Sequence, residues 1–273
     1  MNRYNRKIIL FFAIAAGIVF ATHAILRSPG LKDSAFPKDT AKISKQGQSK
    51  TNTESPAENI PEPVEEKSAP REEEAVNIPE KYLLDMPFYS QAPLSKWDAF
   101  HEEMCEEASL LNAGLYLENK ELTKGQFETE LQKIQKIEKN EVGEWKSTTI
   151  SQTKEWADVY FKGKIKSKII ENPTIEDIES EIAAGLPAGE VGNPVVVPLA
   201  GRDIGNPNFT PPGPIYHMLV IKGYDAQNFI TNDVGTRKGD SYTYKKEVIM
   251  KNIHDWNAND IHAGASRILV LYR

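Results

Sequence analysis

The chain reads Tyr216-His-Met-Leu-Val-Ile-Lys-Gly223 and, after Tyr224-Asp-Ala-Gln227, continues Asn228-Phe-Ile-Thr-Asn232, with Asp233 next. Both runs are dense in β-branched, aromatic and large aliphatic side chains, which suit a pleated, buried surface. Joined through Lys222 to Gln227, they pair most simply as a hairpin. His217 heads the first run and Asp233 follows the second. Side chains alternate along a strand, so either Asp233 or Asn232 faces His217, and sequence does not set the register that decides.

The same character extends to either side. Val195 to Leu199, Ser241 to Tyr244 and Arg267 to Tyr272 are strand-like. Upstream the period changes to that of a helix. Glu103 to Leu117 carries Cys105, Ala108, Leu111 or Leu110, and Leu115 at three- and four-residue spacing. A second helix is expected from Thr123 to Glu138, a third from about Thr149 to Phe161, and a fourth that Thr174-Ile-Glu-Asp177 opens as a capping box and that ends near Gly185. Asp85 to Gln91 reads as a short extended strand, because Pro87 disfavours helix. Helices first and strands later predict an α+β domain, an N-terminal helical layer packed on a C-terminal antiparallel sheet. Gly201 to Pro214 is too rich in glycine and proline for regular structure, and it ends just before His217, where a loop would line a site.

Residues 78–273 hold all four tryptophans and are expected to form this one domain. Residues 1–27 have Arg3, Arg6 and Lys7 ahead of an uncharged run from Ile8 to Leu26, the pattern of a membrane anchor or signal peptide. The run continues past the small-residue site at Val19-Phe-Ala21, which favours an uncleaved anchor with the domain on the extracytoplasmic side. Residues 28–77 are dominated by Pro, Ser, Lys, Glu, Thr and Gln, a composition that buries too little apolar surface to fold and predicts a tether. Of the 33 basic and 39 acidic residues, 22 and 29 lie beyond residue 78, so the domain is net negative and a poor partner for nucleic acid. The phosphate-loop and nucleotide fingerprints are missing, as is zinc-ligand spacing, so neither a cofactor nor a metal is expected.

Cys105 is the only cysteine, so it has no internal disulfide partner and is buried and inert, paired with another molecule, or reactive. A thiol nucleophile works as thiolate, and a helix N-terminus and a nearby imidazolium, here His217, would both favour that form. The imidazole then needs a third group to fix its tautomer, which Asp233 or Asn232 can supply. Glu102, Glu103, Glu106 and Glu107 would oppose ionisation of the thiol, and they are expected to sit in the first helical turn with their side chains in solvent. His101 is a weaker candidate base, one turn before Cys105.

The ordered set FYSQ, MCEEASLLNAGLYL, PVVVPL, YHMLVIKGYD and FITNDVGT resembles the stand-alone, extracytoplasmic branch of the papain-like cysteine peptidases of family thirty-nine, relatives of the proteases that cut bacteriocin leaders after a double glycine. The resemblance spans Tyr82 to Tyr272. It implies a papain-like fold, Cys105 as nucleophile, His217 as general base and later acid, Asp233 as orienting carboxylate and Gln91 as oxyanion-hole donor. The expected substrate is a peptide or a cell-envelope protein. The alternatives are acyl transfer, or a catalytically inactive, surface-tethered binding module, with Asn206, Asn208, Phe209 and Tyr216 as the surface that meets the ligand.

Overall fold

In the computed structural model the described residues are 78–143, 146–184 and 191–273. Seven strands form one antiparallel sheet: β1 (Tyr82–Leu83), β2 (Lys166–Glu171), β3 (Val195–Ala200), β4 (Tyr216–Tyr224), β5 (Asn228–Asn232), β6 (Tyr242–Lys245) and β7 (Arg267–Tyr272). The order across the sheet is β2-β7-β3-β4-β5-β6, with β1 pairing to the far end of β4. Every residue of β3 and β4 is buried, so both faces of the sheet's centre are covered. That explains why their sequences are continuous apolar runs rather than alternations.

Among the described residues five α-helices accompany the sheet: α1 (Cys105–Glu118), α2 (Lys124–Glu141), α3 (Ile150–Phe161), α4 (Ile175–Ile182) and α5 (Lys246–Asn252). In α2, α3 and α4 a threonine side chain, from Thr123, Thr149 and Thr174, accepts the N–H of Gln126, Gln152 and Asp177, whose side chains return to the threonine amide. Each such cap contributes about 1 kcal/mol. α1 has no side-chain cap. Twelve of its fourteen residues are buried, and it packs against β3, β4, β7, α2 and α3. A helix enclosed on all sides has no solvent face, and this determines the fate of its acidic first turn.

The expected α+β layering is therefore present, with local differences. Asp85 to Gln91 is not a strand: only Tyr82 and Leu83 pair, opposite Tyr224 and Gly223. Pro87 has no N–H to offer a ladder. The segment is held instead by Asn232, whose Nδ2 donates to the Pro87 carbonyl at 2.8 Å, and by the Gln91 N–H on the Val234 carbonyl at 2.9 Å. β2 and α5 extend the expected set. β2 is an edge strand whose lysines conceal its alternation, a common protection against edge-to-edge pairing. Among the described residues no helix is long and apolar enough to cross a membrane. The expected anchor (1–27), the tether (28–77) and Gly185 lie outside the described residues.

Candidate active site

The β4–β5 register settles which residue faces His217. Val220 lies opposite Asn232 and Ile221 opposite Thr231, with an irregularity at Lys222 that brings Gly223 opposite Ile230. One step beyond Asn232, Asp233 falls on the face shared by Leu219 and His217, whereas Asn232 points the other way, to Pro87. His217 Nε2 and Asp233 Oδ1 are 2.8 Å apart, both side chains almost wholly buried. The ring's Nδ1 has no hydrogen-bond partner among the described residues.

Asp233 is a saturated carboxylate. Oδ1 also accepts the Gly235 N–H at 3.0 Å, and Oδ2 accepts Asn206 Nδ2 at 2.8 Å and the Tyr244 hydroxyl at 2.5 Å. Burial alone would raise its pKa, but the His217 charge and hydrogen bond, with those of Tyr244 and Asn206, outweigh burial and hold it below the ordinary 3.8. Neither Tyr244 nor the supporting role of Asn206 was visible in the sequence. Asn206, expected to meet a ligand, is engaged within the protein in this structure. Its amide donates to Asp233 and to Tyr244 Oη at 2.8 Å, and its Oδ1 accepts the Asn208 backbone and side-chain amides at 2.9 and 3.0 Å, so nothing is left for a ligand.

Two further groups confine the imidazole. The Phe209 ring stands edge-on to it with centroids 5.1 Å apart. Beside both rings, a Cβ on Gly235 would lie 2.8 Å from His217 Cε1 and 3.0 Å from Phe209 Cε1, so only glycine fits. A Cβ on Gly201 would similarly meet His217 Cβ at 2.8 Å and the Pro214 carbonyl oxygen at 2.7 Å. The glycine-rich loop thus folds directly over His217.

Cys105 is the first residue of α1, where helix amides have no intrahelical acceptor. One turn later Ser109 Oγ donates to the Met218 carbonyl at 3.0 Å, docking the start of α1 on β4 next to His217. The sulfur's side-chain partner is Glu106: Sγ donates to Oε2 at 2.9 Å, while Oε1 accepts the Thr148 N–H at 3.0 Å. Burial, the Glu106 charge and this hydrogen bond push the thiol well above its ordinary range, with Glu107 adding to them and only the Met218 amide opposing. The expectation of a thiol lowered by the helix N-terminus and an imidazolium is thus reversed at rest. Glu106 and Glu107, expected in solvent, are each 1 % exposed. α1 leaves them no route to water, and they turn onto Cys105 and Thr148 and toward Glu138 of α2.

A cavity of about 1050 Å³ opens at this point, lined by Gln91, Cys105, Phe209, Tyr216 and His217 together with Asn208. Trp97, Trp256 and Ile215 supply apolar wall, Glu102 and Glu103 an acidic bank, and Lys146, Arg237 and Lys238 a basic one. Tyr216 is largely wall: its hydroxyl donates to the Thr148 carbonyl at 3.0 Å. Gln91 Nε2 donates to the His101 carbonyl at 2.7 Å and more weakly to Glu102 at 3.3 Å, and its buried Oε1 has no partner. His101 is excluded as a base, since Asp98 at 2.6 Å and Glu128 at 2.9 Å occupy its two ring nitrogens. Among the described residues no group of three or more His, Cys, Asp or Glu side chains could hold a metal ion.

No curated protein matches the chain. The crystal structure of a candidate C39-like peptidase from Bacillus anthracis is similar to it at 17 % identity, covering 71 % of this chain and 98 % of that one, with a TM-score of 0.46. Residues 83–261, which contain the hairpin, the start of α1 and the loop over His217, match the Peptidase C39 like family. The chain belongs to that family, the C39-like peptidases.

Proposed function

We propose that this chain is a thiol peptidase in which Cys105 attacks the carbonyl carbon of a peptide or amide bond, served by His217 and Asp233. One observation carries this reading: an imidazole bound through Nε2 to a buried carboxylate, with Nδ1 unengaged, on the wall of a cavity that Cys105 also lines. Nucleophile, base and orienting carboxylate are the parts that acyl transfer to a thiol requires.

The resting thiol is protonated, so His217 Nδ1 takes its proton as the S–C bond forms. The carbonyl oxygen, now an oxyanion, is met by the Cys105 N–H at the uncapped start of α1 and by the weakly held second N–H of Gln91. Each such donor contributes roughly 10²- to 10³-fold in rate. Collapse breaks the C–N bond, and the imidazolium gives its proton to the leaving amine. Water, deprotonated by His217, then attacks the thioester, releasing the acid and restoring the thiol. Asp233 keeps the Nε2–H tautomer throughout.

The substrates are peptides or cell-envelope proteins that enter the cleft as an extended chain. Residues 1–27 anchor the domain to the membrane and residues 28–77 hold it clear on the extracytoplasmic side, as their charge and composition indicate. The test is incubation of the full-length protein, and of Cys105→Ala, with a peptide library, followed by mass spectrometry of new termini. New carboxyl termini made only by the unaltered protein support hydrolysis. Peptide binding without cleavage by either protein contradicts it in favour of a binding module, and products capped with an added amine contradict it in favour of acyl transfer.

A further inference from the structure

The hydrolytic sequence above gives no part to the side chain nearest the sulfur. Glu106 Oε2 lies 2.9 Å from Cys105 Sγ, closer than any other hydrogen-bond partner of that atom among the described residues. The carboxyl is 1 % exposed, and its other oxygen is fixed by the Thr148 N–H at 3.0 Å, so it cannot swing away without releasing that backbone. Thr148 is held in turn by the Tyr216 hydroxyl on its carbonyl. The contact is thus braced on both sides, unlike a chance rotamer of an exposed glutamate.

We propose that Glu106 is a fourth catalytic residue of this site: its carboxyl shares the Cys105 proton, so that thiol and carboxyl titrate as one pair and the charge on Glu106 sets the pH range over which the nucleophile ionises. The exchange is balanced within the pair. In one form Sγ–H donates to the carboxylate; in the other the proton has crossed to Oε2, and the resulting O–H donates to the thiolate. The pair carries one negative charge in both forms, and removal of its second proton places two charges against each other in a buried space.

The surroundings favour this sharing. Glu107 and Glu138 are also buried, and their carboxyl oxygens have no hydrogen-bond partner among the described residues. Glu103 approaches from the turn before α1, and the protonated Tyr216 hydroxyl faces it from β4. Lys146 and His217 stand on the wall of the same cavity. Burial first, and the Glu103 charge in support, push Glu106 up to about 7 despite the hydrogen bonds that pull it down. A group that titrates near neutrality is placed to couple the thiol to ambient pH.

This inference rests on Cys105 being the reactive nucleophile, and the experiment separates the two. The rate of Cys105 alkylation by iodoacetamide is measured on the full-length protein from pH 5 to 9, for the unaltered chain and for Glu106→Gln. The unaltered protein is expected to show rates that rise with pH, flatten near pH 7 where the carboxyl ionises and takes over the pair's single charge, and rise again above pH 8. Glu106→Gln lacks the flattening. Its rate matches the unaltered protein below pH 6 and exceeds it about tenfold or more at pH 9, tenfold for each unit of coupling between the two groups. Parallel profiles across the range overturn the role of Glu106 and leave the nucleophile standing. A Cys105 that is inert at every pH in both proteins overturns the nucleophile reading itself. Should Glu106→Gln fail to fold, the unaltered profile decides alone: a single titration without the inflection near pH 7 overturns the proposal.

Discussion

Replacing Asp233 by asparagine isolates the negative charge behind His217 while leaving its volume in place. Four donors converge on this carboxylate, two on each oxygen. An asparagine that keeps its oxygen toward His217 and Gly235 turns its amide toward Asn206 and Tyr244. The Tyr244 hydroxyl can rotate to accept, which takes its own hydrogen off this atom, but the Asn206 amide cannot, and at least one buried donor is left unpaired. That costs about 1–3 kcal/mol of stability. The opposite rotamer presents N–H to His217 Nε2, which shifts the ring proton to Nδ1, the atom needed to receive the thiol proton. Either way the developing imidazolium loses its countercharge. In the comparable serine triad the same change lowers turnover by about 10⁴-fold, and a loss of roughly 10³- to 10⁴-fold in kcat is expected here. Peptide cleavage measured beside thermal unfolding checks both numbers. A folded Asp233→Asn protein retaining more than a tenth of its activity would refute the reasoning.

Three other changes follow from the same structure. Gly235→Ala brings a methyl group to 2.8 Å from His217 Cε1, so the ring must shift; cleavage is expected to fall about 10²-fold, and activity within twofold of normal would contradict the fit. Tyr244→Phe removes a short charge-assisted hydrogen bond to Asp233 worth about 1.5–3 kcal/mol. A depressed carboxyl stabilises above its unfolded pKa and loses that contribution as pH falls, so weakening the depression moves the acid-unfolding midpoint to higher pH; an unchanged midpoint would contradict this. Glu138 works in the opposite direction. Burial pushes it up to about 8 from 4.5, so the folded chain holds a proton that the unfolded chain releases, and the cost grows as pH rises from about 4.5 toward 8. Glu138→Gln is expected to raise Tm at pH 8, by at least about 1 kcal/mol of stability, and to change it little at pH 4.5; equal shifts at both would contradict the sign.

The layering was legible because it is written in local periods: four helices begin within a residue or two of their expected starts, three on a threonine box, and β7 matches its expected span. β2 and the failed strand at 85–91 show the limits, since edge lysines conceal one and Pro87 prevents the other. The order of Cys105, His217 and Asp233 could be read along the chain, but the choice between Asp233 and Asn232 depends on the irregularity at Lys222, a feature of pairing rather than of composition. Asn206 and Tyr244 were out of reach for the same reason. Their meeting at Asp233 joins segments 27 and 11 residues apart. The acidic residues after Cys105 were misread as solvent charges, because a first helical turn usually faces water. The signal that could have found them was the helix itself: Ala108, Leu110, Leu111, Ala113 and Leu115 leave no polar face for the turn to continue.

The claim on which the rest depends is that amide hydrolysis passes through a thioester on Cys105. Full-length protein is mixed with a cleavable peptide in ¹⁸O-labelled water and quenched in acid, and the intact protein and its fragments are weighed by mass spectrometry. The account predicts an acyl adduct mapped to Cys105, accumulation of that adduct when His217→Ala is acylated with an activated peptide ester, and one ¹⁸O in each new carboxyl terminus. Cleavage by Cys105→Ala at the rate of the unaltered protein, or products formed with no adduct on Cys105 at any time, would contradict it.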